Sequence, residues 1–143
     1  MAGYSGTPLV KKLGIKPATT LALLSAPDGF TRLLEGLPAD VRVVRRRSED
    51  SLSPRRRPTA AADVTIWFVT AQRDLDRRIS RVATAMGAGL WISWPKKTSG
   101  KLTDLTENLV RDAGLACGLV DYKVCAIDET WSGLKFARRK PAR

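Results

Sequence analysis

Ser93-Trp94-Pro95-Lys96-Lys97-Thr98-Ser99-Gly100-Lys101 is the stretch of this chain richest in groups that can do chemistry. It sets three ammonium groups and several hydroxyls just ahead of a helix-forming stretch. Positive charge, hydroxyls and free backbone amides at a helix start are what a phosphate or carboxylate needs. The segment is not a P-loop, which requires two glycines around a longer loop followed by Lys and Ser or Thr. Ser25 and Asp28, in the turn Ser25-Ala26-Pro27-Asp28-Gly29, and Thr70 extend the candidate anion-binding set. So do Tyr4, Ser5 and Lys12 of the opening segment. That segment has an apolar set, Leu9, Val10, Leu13 and Ile15, that must be buried somewhere. It is expected to form an arm and a short helix beside a sheet, or to fold over a strand edge and complete a pocket.

Catalytic sets are harder to assemble. The chain has no histidine, which removes Ser-His-Asp and Cys-His systems and His-ligated metal sites. Cys117 and Cys125 alone cannot complete a thiolate zinc site and do not form a disulfide framework. The adjacent acids Asp128 and Glu129 point in different directions on a strand or turn, a poor general acid/base pair. Trp131 and Cys125 read as structural. No catalytic residue, metal or cofactor follows from these residues.

Charge is the other signal. With 25 Lys and Arg against 14 Asp and Glu, the 143-residue chain carries +11, concentrated in clusters. Residues 42–58 are net +5, through Arg45, Arg46, Arg47, Arg55, Arg56 and Arg57 with Arg42, and the tail 138–143 adds +4. Such clusters attract polyanions by counterion release, so non-specific nucleic-acid binding through the Arg-rich segment and tail is one expectation. No stretch approaches the ~18 consecutive apolar residues of a membrane span, and the start shows no signal peptide. Unpaired cysteines suit a reducing interior. A cytoplasmic protein is expected.

One domain of 143 residues suffices to position these groups. Residues 20–25 are a short apolar run suited to a strand covered on both faces. Asp28 can cap a following helix with Phe30, Leu33, Leu34 and Leu37 as its buried stripe, closed by Gly36 and Pro38. Residues 41–44 read as a second strand. Residues 45–62, polar and interrupted by Pro54 and Pro58, read as a flexible loop. Residues 63–70 are the clearest strand, β-branched and aromatic. Leu75, Ile79, Val82 and Met86 then recur on one helix face, ended by Gly87 and Gly89. Residues 90–94 form the next strand. Thr103 or Asp104 can cap a helix with Glu107 in its first turn and Leu105, Leu109, Val110 and Ala113 as its stripe. Residues 122–127 and 134–137 flank a turn as a terminal antiparallel hairpin.

Strand–helix–strand repeats imply right-handed crossovers and a mainly parallel, three-layer α/β sheet of about six strands. Closed by a hairpin, this Rossmann-like order resembles the class I methyltransferase variant. That analogy implies a central first strand, with the second to one side and the third and fourth to the other. Ligands of such sheets bind beyond the carboxyl ends of the strands, here the turns 25–29, 70–72 and 93–97. A dinucleotide or S-adenosylmethionine site wants a Gly-rich first turn and an acid after the second strand. This chain has only Gly29 in the first turn and Arg45-Arg46-Arg47 after the second strand.

Several segments also resemble a bacterial family, domain of unknown function 3052: Gly3-Tyr4-Ser5-Gly6-Thr7-Pro8-Leu9, Lys11-Lys12-Leu13-Gly14-Ile15, Ser93-Trp94-Pro95-Lys96-Lys97, Asp104-Leu105-Thr106-Glu107, and residues 120–135 with Thr130-Trp131-Ser132-Gly133-Leu134-Lys135. The resemblance implies a single cytoplasmic bacterial domain and supplies no activity. The residues favour a non-catalytic module that binds an anionic ligand (a nucleotide, a phosphate-bearing metabolite or an acidic partner) at the sheet's carboxyl edge. The alternatives are a diverged transferase using S-adenosylmethionine or a nucleotide, and non-specific nucleic-acid binding.

Overall fold

The computed structural model describes residues 9–30, 36–47 and 62–139. In chain order they form α1 (Leu9–Lys12), β1 (Thr20–Leu24), β2 (Arg42–Arg46), β3 (Val64–Phe68), α2 (Gln72–Ala85), β4 (Gly89–Pro95), a 3-10 turn (Lys97–Ser99), α3 (Glu107–Ala116), β5 (Leu119–Ala126) and β6 (Trp131–Arg138). The strands make one sheet in the order β2-β1-β3-β4-β6-β5. The first four are parallel, and β6 runs antiparallel between β4 and β5. This is the expected α/β, Rossmann-like architecture, with β1 inside the parallel set and an antiparallel hairpin at its end.

Burial explains the strand sequences. β3 and β4 are buried along their whole length, so alternation gives way to continuous apolar runs such as Val64-Thr65-Ile66-Trp67-Phe68. One face packs Leu75, Ile79 and Val82 of α2 and Val110 of α3 against Trp67, Ile92 and Phe136. The other packs Val10, Leu13 and Ile15 of the α1 region and Phe30 against Ile66, Phe68, Trp91 and Trp131. Trp91 Nε1 donates to Leu13 O at 3.0 Å and pins the α1 region to the sheet.

Several boundaries differ from expectation, three of them at the sheet's edges and helix starts. The second strand runs through Arg45 and Arg46, paired with Leu23 and Leu24, so the loop assigned to 45–62 begins later. An edge strand tolerates this because its guanidinium groups stay in solvent. The hairpin connection covers 127–130, because β5 ends at Ala126 and Trp131 joins β6 opposite Pro95. Asp128 Oδ1 closes that turn by accepting from Thr130 N and Trp131 N at 2.8 and 2.7 Å. Third, α3 is capped by Thr106, whose Oγ1 accepts from Leu109 N at 3.2 Å, and not by Thr103 or Asp104. Of the stripe expected after Asp28, Leu33 and Leu34 lie outside the described residues, while Phe30 belongs to the core on the α1 face and Leu37 packs against it.

The C-terminal end of α2 is closed from a distance. Arg138 on β6 donates to the carbonyls of Ala83, Met86 and Gly87 at 3.0, 2.6 and 3.0 Å. A cation on the last carbonyls of a helix satisfies orphan acceptors and opposes the negative end of the dipole. Among the described residues no helix is long and apolar enough to cross a membrane.

Candidate functional site at the carboxyl edge

Parallel register sends the turns after β1, β3 and β4 out of the same edge of the sheet. Among the described residues two cavities lie at this edge, and neither takes in all three turns.

The first cavity, about 250 Å³, lies at the ends of β1 and β2 and is lined by Leu23, Ser25, Ala26, Asp28, Arg45, Arg46 and Arg47. Ser25 leaves β1 in the left-handed region (φ 58°), which turns the chain across β2. Its amide donates to Arg46 O at 2.8 Å and its hydroxyl to Arg47 O at 3.3 Å. Arg45 bends back over the turn, with Nη2 3.3 Å from Pro27 O. Three arginines and, among the described residues, one acidic residue, Asp28, therefore line the cavity. Arg45, Arg46 and Arg47, three of the six arginines expected to serve a nucleic-acid surface, line this cavity.

The second cavity, about 470 Å³, is bounded by Trp94, Pro95, Lys96 and Lys97 from β4 and the following turn, Leu105 to Asn108 at the start of α3, and Ser132 from β6. The first amides of a helix lack intrahelical partners, so this wall presents donors beside the two lysines. Glu107 places a carboxylate there as well. Arg111 Nη2 meets it at 2.6 Å, while its Nε meets Asp121 at 2.8 Å. The hydrogen bond to Asp121, and then that to Glu107, raises the Arg111 pKa above its ordinary value. Sequence reasoning missed Thr106, Asn108 and Ser132. Ser132 is opposite Trp94 only through antiparallel pairing, which no local spacing reveals.

Between the cavities the segment before α3 is tied to the ends of β3 and α2. Thr103 Oγ1 donates to Thr70 O at 2.6 Å, and Asp104 Oδ1 accepts from Gln72 N, the first residue of α2, at 2.7 Å. Asp104 thus occupies the positive end of α2, where a ligand's anion would otherwise sit. Thr70, expected to face ligand, is exposed, and its backbone carbonyl is taken by this strap. Replacing Asp104 with Ala should cost about 1 kcal/mol of stability in urea unfolding, as lost N-terminal caps do, while Asp104→Asn should keep most of it. Equal losses for both would show that the contact is not acting as a cap.

Other expected site residues do not line these two cavities. Ser93 is fully buried between Phe68 and Gly133 within the sheet, its hydroxyl without a hydrogen-bond partner among the described residues, and it lines neither cavity. Strand alternation explains this, since Trp94 and Ser93 point to opposite faces. Ser99 Oγ is bonded locally to Lys96 O at 2.7 Å, and Thr98, Ser99 and Lys101 line neither cavity. Lys12 sits beside Cys125 and Lys123 on the outer strand β5 and lines neither. Tyr4, Ser5, Arg55, Arg56 and Arg57 lie outside the described residues.

No protein-family model and no curated protein matches the chain by sequence. Solved structures match it by shape. Magnesium protoporphyrin IX methyltransferase from Synechocystis PCC 6803 with bound SAH superimposes with TM-score 0.61 at 13% identity, over 91% of this chain and 78% of that one. A possible exported protein from Bordetella parapertussis gives 0.58 at 10% identity, over 90% and 64%. A protein of the NADB-Rossmann superfamily from Streptococcus agalactiae gives 0.53 at 9% identity, over 99% and 72%. At such identities the likeness is one of fold, and the fold of this chain is the methyltransferase-like form of the Rossmann architecture.

Proposed function

We propose that this protein is a binding module of methyltransferase-like fold whose carboxyl edge takes an anionic ligand, a phosphorylated nucleotide. The observation that carries the reading is the end of β2. Nucleotide sites of this fold place an acid there for ribose hydroxyls, whereas arginine at that place suits a sugar phosphate. Here Arg45, Arg46 and Arg47 border the cavity, with Asp28 as the acidic residue among the described ones. S-adenosylmethionine brings a sulfonium cation, which this charge distribution repels, while a phosphate is attracted and can be held bidentately. Lys96 and Lys97 beside the start of α3 offer a further anion contact farther along the edge.

A second reading, a diverged S-adenosylmethionine-dependent transferase, is favoured by the likeness to an SAH-bound methyltransferase. Differential scanning fluorimetry separates the two. ATP and NADP should raise the melting temperature, equivalent to about 2.7 kcal/mol at one hundred times Kd. That shift should vanish in Arg45→Glu/Arg46→Glu and shrink in Lys96→Ala/Lys97→Ala. A shift with S-adenosylmethionine but none with nucleotides would support the transferase instead. Silence with every ligand would remove both.

A further inference from the structure

A second basic cluster lies on the other side of the molecule's chemistry, on the face of the C-terminal strands that α1 covers. Lys135 on β6 pairs directly with Lys123 on β5, and both lean toward that face. Lys123 Nζ donates to Lys12 O at 3.2 Å, and Lys135 Nζ lies 5.9 Å from the Trp91 ring centre and 5.7 Å from that of Tyr122. The register slips between Asp121 and Lys123, a bulge that lets the consecutive side chains of Tyr122 and Lys123 serve one face. Lys16 completes the set. Its charge, with that of Lys123, opposes protonation of Lys135, whose pKa is lowered mainly by burial.

Like charges set directly opposite on neighbouring strands destabilise a sheet. Among the described residues none of these lysines forms an ion pair, since Asp121 is taken by Arg111 and Asp128 by the hairpin turn. The cluster is also not purely electrostatic, because Tyr122 is 59% exposed among the ammonium groups. Lysines that track a phosphate backbone, interleaved with an exposed ring on which a base can stack, are the recurring composition of single-strand binding surfaces. An acidic protein would answer the charge but leaves the exposed ring unexplained.

We propose that Lys12, Lys16, Lys123 and Lys135, with Tyr122, form a binding surface for single-stranded nucleic acid, distinct from the carboxyl-edge cavities. The second cavity opens on the α2/α3 face with Trp94 and Ser132, whereas this surface lies on the opposite face with Trp91 and Lys135. It also differs from the Arg-rich segment and tail. The proposal stands or falls independently of nucleotide binding at the edge.

Fluorescence anisotropy with labelled oligo(U) and the full chain tests it. Wild type should bind with affinity that falls steeply with salt, by roughly 0.7 log units per log unit of salt for each phosphate neutralised. Lys16→Glu/Lys123→Glu should weaken binding at least tenfold and flatten that slope, and the milder Lys16→Gln/Lys123→Gln should act in the same direction. Tyr122→Ala should cost roughly fivefold or more through lost stacking. Arg73→Glu/Arg77→Glu on the exposed side of α2 changes net charge equally and serves as control. An equal loss in that control would overturn the proposal, because bulk charge would then explain the binding. Poly-glutamate binding as tightly as oligo(U), or Tyr122→Ala being without effect, would overturn it too, as would wild type failing to bind at low salt.

Discussion

Trp91→Ala should lower the unfolding free energy by about 3–5 kcal/mol, the range for deleting a buried tryptophan. Such a loss is a large fraction of the ~5–15 kcal/mol that holds a domain together. The residue is fully buried in the middle of β4, paired with Ile66 on one side and Lys135 on the other. It packs against Leu13, Ile15 and Phe68 in the core on the α1 face, and its ring lies close enough to Gly133 that a Cβ there would stand 3.1 Å from Cε3. Its indole N–H is also the link to Leu13 O at 3.0 Å. Trp91→Phe separates the two contributions. It keeps most of the apolar volume but leaves the Leu13 carbonyl unpaired, so it should cost about 1–3 kcal/mol. Urea unfolding monitored by circular dichroism gives both numbers. If Trp91→Ala costs less than about 1 kcal/mol, the α1 region does not pack on the sheet as described.

Gly114→Ala should be destabilising by about 2 kcal/mol although it improves helix propensity. Propensity alone favours Ala in a helix interior by about 1 kcal/mol. Gly114, however, is buried in α3 against the Phe136 ring, and an added Cβ would stand 2.2 Å from Cε1 and 2.6 Å from Cζ. Phe136 is itself fully buried, between β4 and β5, so its ring has nowhere to retreat. Overpacking of this kind costs about 1–3 kcal/mol and occasionally more, which outweighs the propensity gain. The double variant Gly114→Ala/Phe136→Leu should recover at least ~1 kcal/mol relative to the sum of the single changes, the signature of two residues in contact. A neutral or stabilised Gly114→Ala would mean that α3 stands farther from β6.

These two positions also show where local reading stops. The spacing of Leu75, Ile79, Val82 and Met86 identifies α2 and its buried face, because helix periodicity is written in the chain itself. The same spacing logic places Val110 inside but gives no reason for a glycine at 114, since the ring that requires one arrives from residue 136. Asp104 is similar. Three residues before Glu107 it looks like a cap for its own helix, yet its carboxylate caps Gln72, thirty-two residues earlier. Capping is chosen by whichever helix start the carboxylate can reach in space, and Thr106 was nearer to α3.

The site follows the same division. Composition and order suffice to put Lys96 and Lys97 at the end of a strand near a helix start, and the structure joins them in one cavity. Ser93 and Lys12 share the residue types of that cluster but not its place, because a strand turns alternate side chains to opposite faces and α1 packs beyond the hairpin.

What the chain determined unaided is its layering: apolar runs too short for helices must be strands, and runs apolar on both faces must be inner strands of a parallel sheet. What only tertiary structure decided is which charges meet. Arg45 to Arg47 reach the turn after β1 through parallel pairing, and Lys123 faces Lys135 through antiparallel pairing with a bulge. Register is a long-range choice made by the whole buried face at once, so a charge's neighbours are set by strands far from it in sequence.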